Sequence, residues 1–227
     1  MNQDGGYWLI PSAIDRSELA DLTAALDRYE AAPERYADPL QFQYEPDGRR
    51  VRKMRELHLL DGETWSVLWR NGAVQHFLSR HVDEPLTLVF CAAFLKPGAI
   101  GTRTPFHQDQ ALWERWMPQA FSCWFALDNA DVDNGCLTFC PGSHLRGVLE
   151  HAPPPDTDHP EVVPEVLEQF EREVVPLTAG SAVAWDRLTV HGSGVNTSRR
   201  PRRGVVIVFA PTRLFDQPRT TVFAPTG

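Results

Sequence analysis

Two histidines and one aspartate, distant in the chain, are the residues best suited to chemistry. His107 and Asp109 are separated by one residue, and His191 follows much later. Two imidazoles and one carboxylate can bind iron(II) on one face of the ion and leave its other face open for substrate and oxygen. Side chains two residues apart in extended backbone point to the same side, so His107 and Asp109 can reach one ion while Gln108 points away. We interpret the three residues as candidate metal ligands and catalytic residues.

A second histidine–aspartate pair with the same spacing, His81 and Asp83, lies in a different context. His81 is expected to close a helix just before Glu84 and Pro85. A histidine at that place interacts favourably with the negative end of the helix dipole. We therefore interpret His81 as a structural residue.

Other classes of protein could use the same candidate ligands. Two histidines and an aspartate can bind zinc for hydrolysis, with water in the fourth position. A jelly-roll protein that binds a ligand without turnover is a further alternative. The zinc alternative requires a general base, for which the sequence offers no matching glutamate, and it leaves the arginines after His191 without a role.

Those arginines are Arg199, Arg200, Arg202 and Arg203. A guanidinium stays protonated at any working pH and can bind a carboxylate through two parallel hydrogen bonds. Successive side chains of a strand point to opposite faces, so Arg202 and Arg203 cannot both face the interior. The arginines that face outward are interpreted as part of a solvated turn.

Composition narrows the class of protein. The 227 residues predict one domain, 1–227, large enough to enclose a cavity. A formal net charge of -8 argues against nucleic-acid and anionic-membrane partners and leaves a small-molecule substrate. No signal peptide or membrane-spanning run is visible, which predicts a cytoplasmic location. The four cysteines are predicted to be buried free thiols. Oligomeric state is not predicted.

The apolar pattern changes period near residue 86. Before it, helices are predicted over 16–31, with Asp15 and Glu18 in capping-box spacing, and over 64–80, joined by a loop over 33–48. After it, short strands are separated by turn residues. The predicted strands are 86–95, 121–127, 136–140, 181–185 and 204–210.

This order of elements predicts an α+β fold, mainly β. The expected architecture of the sheet part, over 86–211, is a β-sandwich or a jelly roll. The N-terminal helical region, 1–85, is expected to pack on the barrel. Residues 151–158 contain three consecutive prolines and cannot form a central strand, and a short helix is predicted over 164–172. The insertion, 150–175, is a candidate lid, with a surface excursion as the alternative.

Three stretches resemble a known family when taken together. They are FHQDQALW at 106–113, DNGCLTFCPGSH at 133–144 and HGSGVNTSRRPRRG at 191–204. Their ordered combination resembles the phytanoyl-CoA dioxygenase family over roughly residues 86–211. The resemblance implies that the jelly roll is a double-stranded β-helix of the cupin-like type. It also implies an enzyme that uses iron(II), 2-oxoglutarate as cosubstrate and O2.

The resemblance also implies roles for single residues. Iron(II) would be held by His107, Asp109 and His191. The family's cosubstrate arginine lies 11 residues after the second histidine, which gives Arg202, and a hydroxyl two residues after that histidine gives Ser193. Arg203 is the alternative if the last strand is shifted by one residue.

The implied activity is that of a 2-oxoglutarate-dependent dioxygenase. It would oxidise an unactivated C–H bond of a small metabolite and decarboxylate 2-oxoglutarate to succinate and CO2. Hydroxylation is expected because Asp109 stands where related halogenases have a small residue that admits chloride. Epoxidation, desaturation and cyclisation stay open. The net charge disfavours a coenzyme A thioester, and the short chain suits bacterial specialised metabolism.

Substrate-pocket residues are harder to predict. Trp113, four residues after Asp109, is a candidate wall of the cavity, with core packing as the alternative. His144 is a candidate pocket residue, with a structural, hydrogen-bonded histidine as the alternative. Trp116 and Trp124 are interpreted as core residues.

Overall fold

The fold is built from two antiparallel β-sheets that face each other across a cavity. The computed structural model describes residues 5–36, 42–154, 159–217 and 219–225. The strands of the larger sheet, in spatial order, are β1 (Tyr7–Ile10), β11 (Ala182–Asp186), β6 (Phe121–Ala126), β13 (Arg202–Pro211), β4 (Leu86–Lys96), β3 (Val51–Met54) and β2 (Phe42–Tyr44), and β14 (Thr221–Phe223) also pairs with β4.

The smaller sheet carries three of the residues that the sequence predicts for the site, His107, His191 and Ser193. Its strands, in spatial order, are β10 (Glu173–Val175), β7 (Leu137–Phe139), β12 (His191–Ser193) and β5 (Thr104–His107). The two facing sheets form the predicted double-stranded β-helix. The strands predicted after residue 86 are confirmed, with ends that differ by one or two residues.

Helices pack on the outer face of the larger sheet. Along β4, Cys91, Ala93 and Leu95 belong to the main hydrophobic core beneath the helices, whereas Phe90 and Phe94 line the cavity on the other face. This alternation follows from the pleat of a strand. One face of β4 therefore contacts the hydrophobic core, and its other face borders the cavity.

The first predicted helix is confirmed as α1 (Arg16–Ala31). Its capping box forms as the sequence indicates. The Glu18 amide donates to Asp15 Oδ1 at 2.8 Å, and the Asp15 amide donates to Glu18 Oε2 at 3.0 Å. Two of the otherwise unpaired amides at the helix start are thereby satisfied.

The prediction of one helix over 64–80 is wrong. The segment forms α3 (Gly62–Arg70) and α4 (Gly72–His81), and a short α2 (Leu57–Leu60) precedes them. Asn71 interrupts the helix because its backbone leaves the helical region and its side chain caps α4, accepting from the Ala73 amide at 2.8 Å. The helical spacing of the apolar residues continues on both sides of Asn71, so the pattern alone did not indicate that the helix is interrupted.

The predicted loop over 33–48 contains β2, which pairs with β3 and extends the larger sheet; residues 37–41 lie outside the described residues. The short helix predicted over 164–172 is only α5 (Pro164–Leu167).

Within 150–175, β8 (His151–Ala152) and β9 (Glu161–Val162) form a separate two-stranded ladder. No central strand runs through 151–154, as predicted, and residues 155–158 lie outside the described part.

The four cysteines are buried and free, as the sequence predicts. Among the residues that the structure describes, no helix has the length and apolar character that crossing a bilayer requires.

Candidate metal centre and cavity

The structure brings His107, Asp109 and His191 together at one end of the cavity. His107 ends β5 and His191 begins β12, and the two residues occupy paired positions of neighbouring strands. Asp109 follows an extended Gln108 at the start of a short 3-10 turn. One possible ligand atom from each of the three residues lies within 4.8 Å of the others. The sequence therefore identified a real cluster.

Both histidines are oriented by the same local device. The His107 Nδ1 lies 2.8 Å from the Pro105 carbonyl oxygen, and the His191 Nδ1 lies 3.0 Å from the Thr189 carbonyl oxygen. A carbonyl only accepts, so each Nδ1 carries the proton and each Nε2 keeps a free lone pair. The two Nε2 atoms lie 3.5 and 3.8 Å from Asp109 Oδ1. This is the tautomer that a metal ligand needs.

The two oxygens of Asp109 have different surroundings. Oδ1 faces the imidazoles, whereas Oδ2 accepts hydrogen bonds from Trp185 Nε1 at 2.9 Å and from the Ser122 hydroxyl. Burial raises the pKa of Asp109, but the nearby histidines and the Ser122 hydroxyl outweigh burial and hold that pKa well below its usual range. The carboxylate is therefore ionised.

Burial, above all, lowers the pKa of His107 and of His191. At neutral pH the cluster thus consists of two neutral imidazoles and one carboxylate, all in the protonation states that bind a divalent metal. These residues fit iron(II), because a facial set of two histidines and one carboxylate is typical of non-haem iron sites.

Arg202 lies in the wall of the same cavity and is only 3% exposed. Its Nε and Nη2 donate to the Gly135 carbonyl oxygen at 3.2 and 3.0 Å, and Nη2 donates to Ser193 Oγ at 3.4 Å. Its guanidinium carbon lies 5.2 Å from the centre of the Trp124 ring. Among the described residues, no carboxylate forms a salt bridge with Arg202. Burial lowers the pKa of Arg202 to about 10.

Arg203, the next residue on β13, points away from the cavity. Its guanidinium contacts Asp128 at 2.8 Å and Asp27 at 2.6 Å. The hydrogen bonds to Asp128 raise the pKa of Arg203 above its usual value. The strand register therefore makes Arg202, not Arg203, the arginine that faces inward.

The cavity has a volume of about 430 Å³. Its polar wall includes the histidine–aspartate cluster, Arg202, Ser193 and Thr104. Its apolar wall consists of Val89, Phe90, Phe94, Leu112, Trp113, Trp124, Leu137, Trp185, Val206 and Val208. Trp113 thus lines the cavity, as one of its two interpretations proposed. Trp124 is buried, as predicted, and also borders the cavity.

Other candidates lie elsewhere. His144 does not line the cavity, because its short 3-10 helix places the imidazole against Gly6. The prediction that Trp116 is a core residue is wrong, since Trp116 is 51% exposed and stacks on the Arg187 guanidinium at 4.5 Å. Gln108 points away from the cluster and donates to the Leu188 carbonyl oxygen at 2.7 Å. His81 packs as a structural residue, with Nδ1 2.7 Å from the Phe77 carbonyl oxygen.

Sequence reasoning missed His159. Its ring centre lies 4.1 Å from that of His107, and it lines the cavity. Burial is the largest cause that lowers the pKa of His159 to about 3. His159 follows the proline-rich stretch, and no local pattern indicates that His159 lies beside the cluster. The roles of Trp185 and Ser122 were also missed, although strand alternation could have placed both side chains inward.

Comparison with known proteins agrees with this arrangement. A family model described as phytanoyl-CoA dioxygenase matches residues 2–204. The phytanoyl-CoA dioxygenase domain-containing protein 1 homolog of Caenorhabditis briggsae is 30% identical over 164 residues, which are 66% of this chain and 55% of that protein. The chain therefore spans little more than half the length of that relative.

Two further proteins cover more of the chain. The methylphosphonate hydroxylase of Gimesia maris is 27% identical over 210 residues, 90% of this chain and 76% of the relative. The crystal structure of EctD from S. alaskensis with 2-oxoglutarate and 5-hydroxyectoine superposes with a TM-score of 0.76 at 22% identity, covering 92% of this chain and 73% of that one. The latter likeness concerns the fold.

Proposed function

This chain belongs to the phytanoyl-CoA dioxygenase family, and we propose that it is an iron(II)- and 2-oxoglutarate-dependent oxygenase acting on a small molecule. One observation carries the proposal. A buried cluster of two neutral imidazoles and a carboxylate shares a cavity with a buried arginine that has no salt-bridge partner among the described residues. The cavity thus has a place for a cation and a place for an anion.

The side chains would divide the work as follows. His107, Asp109 and His191 would hold the iron. Arg202 would bind the distal carboxylate of 2-oxoglutarate, with Ser193 as a second donor, because a guanidinium and a hydroxyl are both suited to an anionic oxygen. Bound iron, with 2-oxoglutarate and O2, supplies the oxidation of an unactivated C–H bond, with succinate and CO2 as the co-products.

The remaining walls would select and orient the substrate. Phe90, Val206, Val208 and Trp113 offer an apolar surface, and the walls would keep bulk water from the reacting atoms. Relatives named for methylphosphonate and ectoine indicate small substrates within the family. Hydroxylation is proposed first, with desaturation, epoxidation and cyclisation as the other outcomes of the same chemistry.

We also propose that the described part of the 150–175 insertion covers one side of the cavity, since its residue His159 contacts the His107 ring. A single domain over 1–227 and a cytoplasmic location stay predictions.

The decisive experiment compares the two histidine–aspartate pairs of the chain. The purified protein is supplied with iron(II) or zinc, and CO2 release from 2-oxoglutarate is measured for wild type, His107→Ala and His81→Ala. Iron-dependent release that is lost in His107→Ala and retained per folded molecule in His81→Ala supports the proposal. Release that is absent with iron, or unchanged in His107→Ala, contradicts it, and hydrolysis with bound zinc would indicate the alternative class.

The substrate can be found with the same assay. Candidate small metabolites are screened for succinate formation above the background rate, and the product is analysed by mass spectrometry. A gain of one oxygen atom would indicate hydroxylation or epoxidation, whereas a loss of two hydrogens would indicate desaturation or ring closure.

A further inference from the structure

Trp185 contacts two of the three proposed metal ligands. Its indole N–H donates to Asp109 Oδ2 at 2.9 Å, and its ring lies 4.6 Å from the His191 ring, centre to centre. The indole is itself fixed, because it is 2% exposed and packs against Phe139, with 5.6 Å between the two ring centres. A rigid donor therefore contacts Oδ2, the carboxylate oxygen that does not face the imidazole Nε2 atoms.

Ser122 supplies a second donor to the same oxygen. Its hydroxyl donates to Asp109 Oδ2, and Ser122 and Trp185 occupy paired positions of β6 and β11. The two donors are therefore set side by side by the hydrogen-bonded strands of the larger sheet. Asp109 itself comes from the loop after β5, in the smaller sheet. The contact thus fixes the carboxylate against the opposite sheet.

This arrangement makes the two carboxylate oxygens unequal. A carboxylate oxygen accepts about two hydrogen bonds, so two donors occupy Oδ2. Oδ1, by contrast, faces the Nε2 atoms of His107 and His191 at 3.5 and 3.8 Å. Turning Oδ2 toward a metal would leave a buried indole N–H and a buried hydroxyl without their acceptor, which is unfavourable.

We propose that Trp185 and Ser122 are positioning residues that restrict Asp109 to binding the metal through Oδ1 alone. The inference rests on the metal site of the proposed function and adds to it a control of coordination number. A carboxylate that bound through both oxygens would take one more position on the ion. The open face needed by a two-point cosubstrate and by oxygen would then be reduced.

Trp185→Phe is the selective variant. A phenyl ring keeps an aromatic contact with His191 and Phe139 but has no N–H to donate. Ser122→Ala removes the other donor and leaves the strand intact. The matched control is Trp65→Phe, because Trp65 is fully buried in the core beneath the helices and is not part of the cavity wall.

Cobalt(II) is a suitable probe, since its visible absorption reports coordination number. We expect Trp185→Phe to weaken cobalt(II) affinity about 10-fold, the lower end of what loss of a hydrogen-bond partner of a metal ligand usually causes. The visible bands should lose intensity as coordination number rises. Ser122→Ala should change affinity and spectrum in the same direction, and the double variant should exceed either single one. Trp65→Phe should keep the wild-type affinity and spectrum even if it lowers the melting temperature.

The outcomes separate this inference from the proposed function. Wild-type affinity and spectrum in both Trp185→Phe and Ser122→Ala would overturn the positioning role, and if Trp185→Phe does not fold, Ser122→Ala decides alone. A wild-type protein that binds no cobalt(II), or a His107→Ala variant that binds it as tightly, would instead overturn the proposed metal site.

Discussion

The two ends of the cavity balance their charges differently. At the metal end, Asp109 is a buried anion that the chain itself surrounds with imidazoles and two hydrogen-bond donors. At the arginine end, Arg202 is a buried cation whose described hydrogen-bond partners, the Gly135 carbonyl and the Ser193 hydroxyl, are both neutral. Transfer of a charge from water into a protein is unfavourable unless an opposite charge or good hydrogen bonds replace the water.

The difference indicates which end is incomplete without a ligand. Arg203, which points away from the cavity on β13, forms salt bridges with two aspartates. One residue earlier, no carboxylate among the described residues forms a salt bridge with Arg202, although that side chain is more deeply buried. A bound carboxylate would supply the missing charge. The metal end is already oriented, whereas the arginine end depends on the cosubstrate for its counter-ion.

The largest predicted effect on the 2-oxoglutarate requirement concerns Arg202 and Arg203, each replaced by glutamine in a separate variant. Arg202→Gln should raise the 2-oxoglutarate concentration for half-maximal CO2 release roughly 100-fold, since charge-assisted hydrogen bonds are lost. Arg203→Gln should leave that concentration within about twofold and lower stability instead, because Asp128 and Asp27 lose their partner. Kinetic titration and thermal unfolding of both variants measure this. Equal kinetic effects would remove the contrast between the ends.

A smaller effect concerns pH and the metal-free protein. The unfolded chain binds a proton at His159 below about pH 6.5, whereas the folded chain, with a pKa of about 3, does not. The unfolded state then binds more protons, so stability falls as pH decreases from 6.5 toward 3. Between pH 7 and 5.5 His159 should contribute a loss of about 1 kcal/mol. His107 and His191 act in the same direction.

Urea unfolding of wild type and His159→Gln at the two pH values tests this. The variant should lose about 1 kcal/mol less on acidification, because glutamine does not titrate. An identical loss in both proteins would mean that His159 is not held neutral by burial at the metal end.

The smallest effect is expected at Ser193. Its hydroxyl lies 3.4 Å from Arg202 Nη2, a long hydrogen bond, so Ser193→Ala should raise the 2-oxoglutarate requirement only about threefold. Ser198→Ala is the control, since that hydroxyl bonds within a turn, to Asn196 Oδ1. A change as large as that of Arg202→Gln would show that the hydroxyl, rather than the guanidinium, dominates cosubstrate binding.

Local geometry explains what the sequence could predict. His107 and Asp109 converge because side chains two residues apart in extended backbone point to the same side. Helix α1 begins at the capping box that the sequence indicates. Strand alternation indicated that only one of Arg202 and Arg203 faces inward. Pairing with β4 and β6 decides which one does so, and it turns Arg202 inward, the residue that the resemblance implied ahead of Arg203.

Long-range contacts explain what could not be predicted. His159 contacts His107, which is distant in the chain, and nothing in the residues next to His159 in the sequence specifies this contact. Trp116 is exposed and stacks at the surface on Arg187, a residue distant in the chain. Asn71 divides a helix whose apolar spacing continues on both sides. In each case the deciding contact lies outside the window that a periodic pattern covers.

The facing positions of His107 and His191 on β5 and β12 have a mechanical consequence. An ion bound by both imidazoles would cross-link two adjacent strands of the smaller sheet, as a covalent bridge does. Unlike a covalent bridge, this cross-link would be reversible and would depend on the metal concentration. A shift of one strand relative to the other by a single residue would turn one imidazole outward and release the ion. Metal occupancy would therefore report whether the barrel has closed correctly.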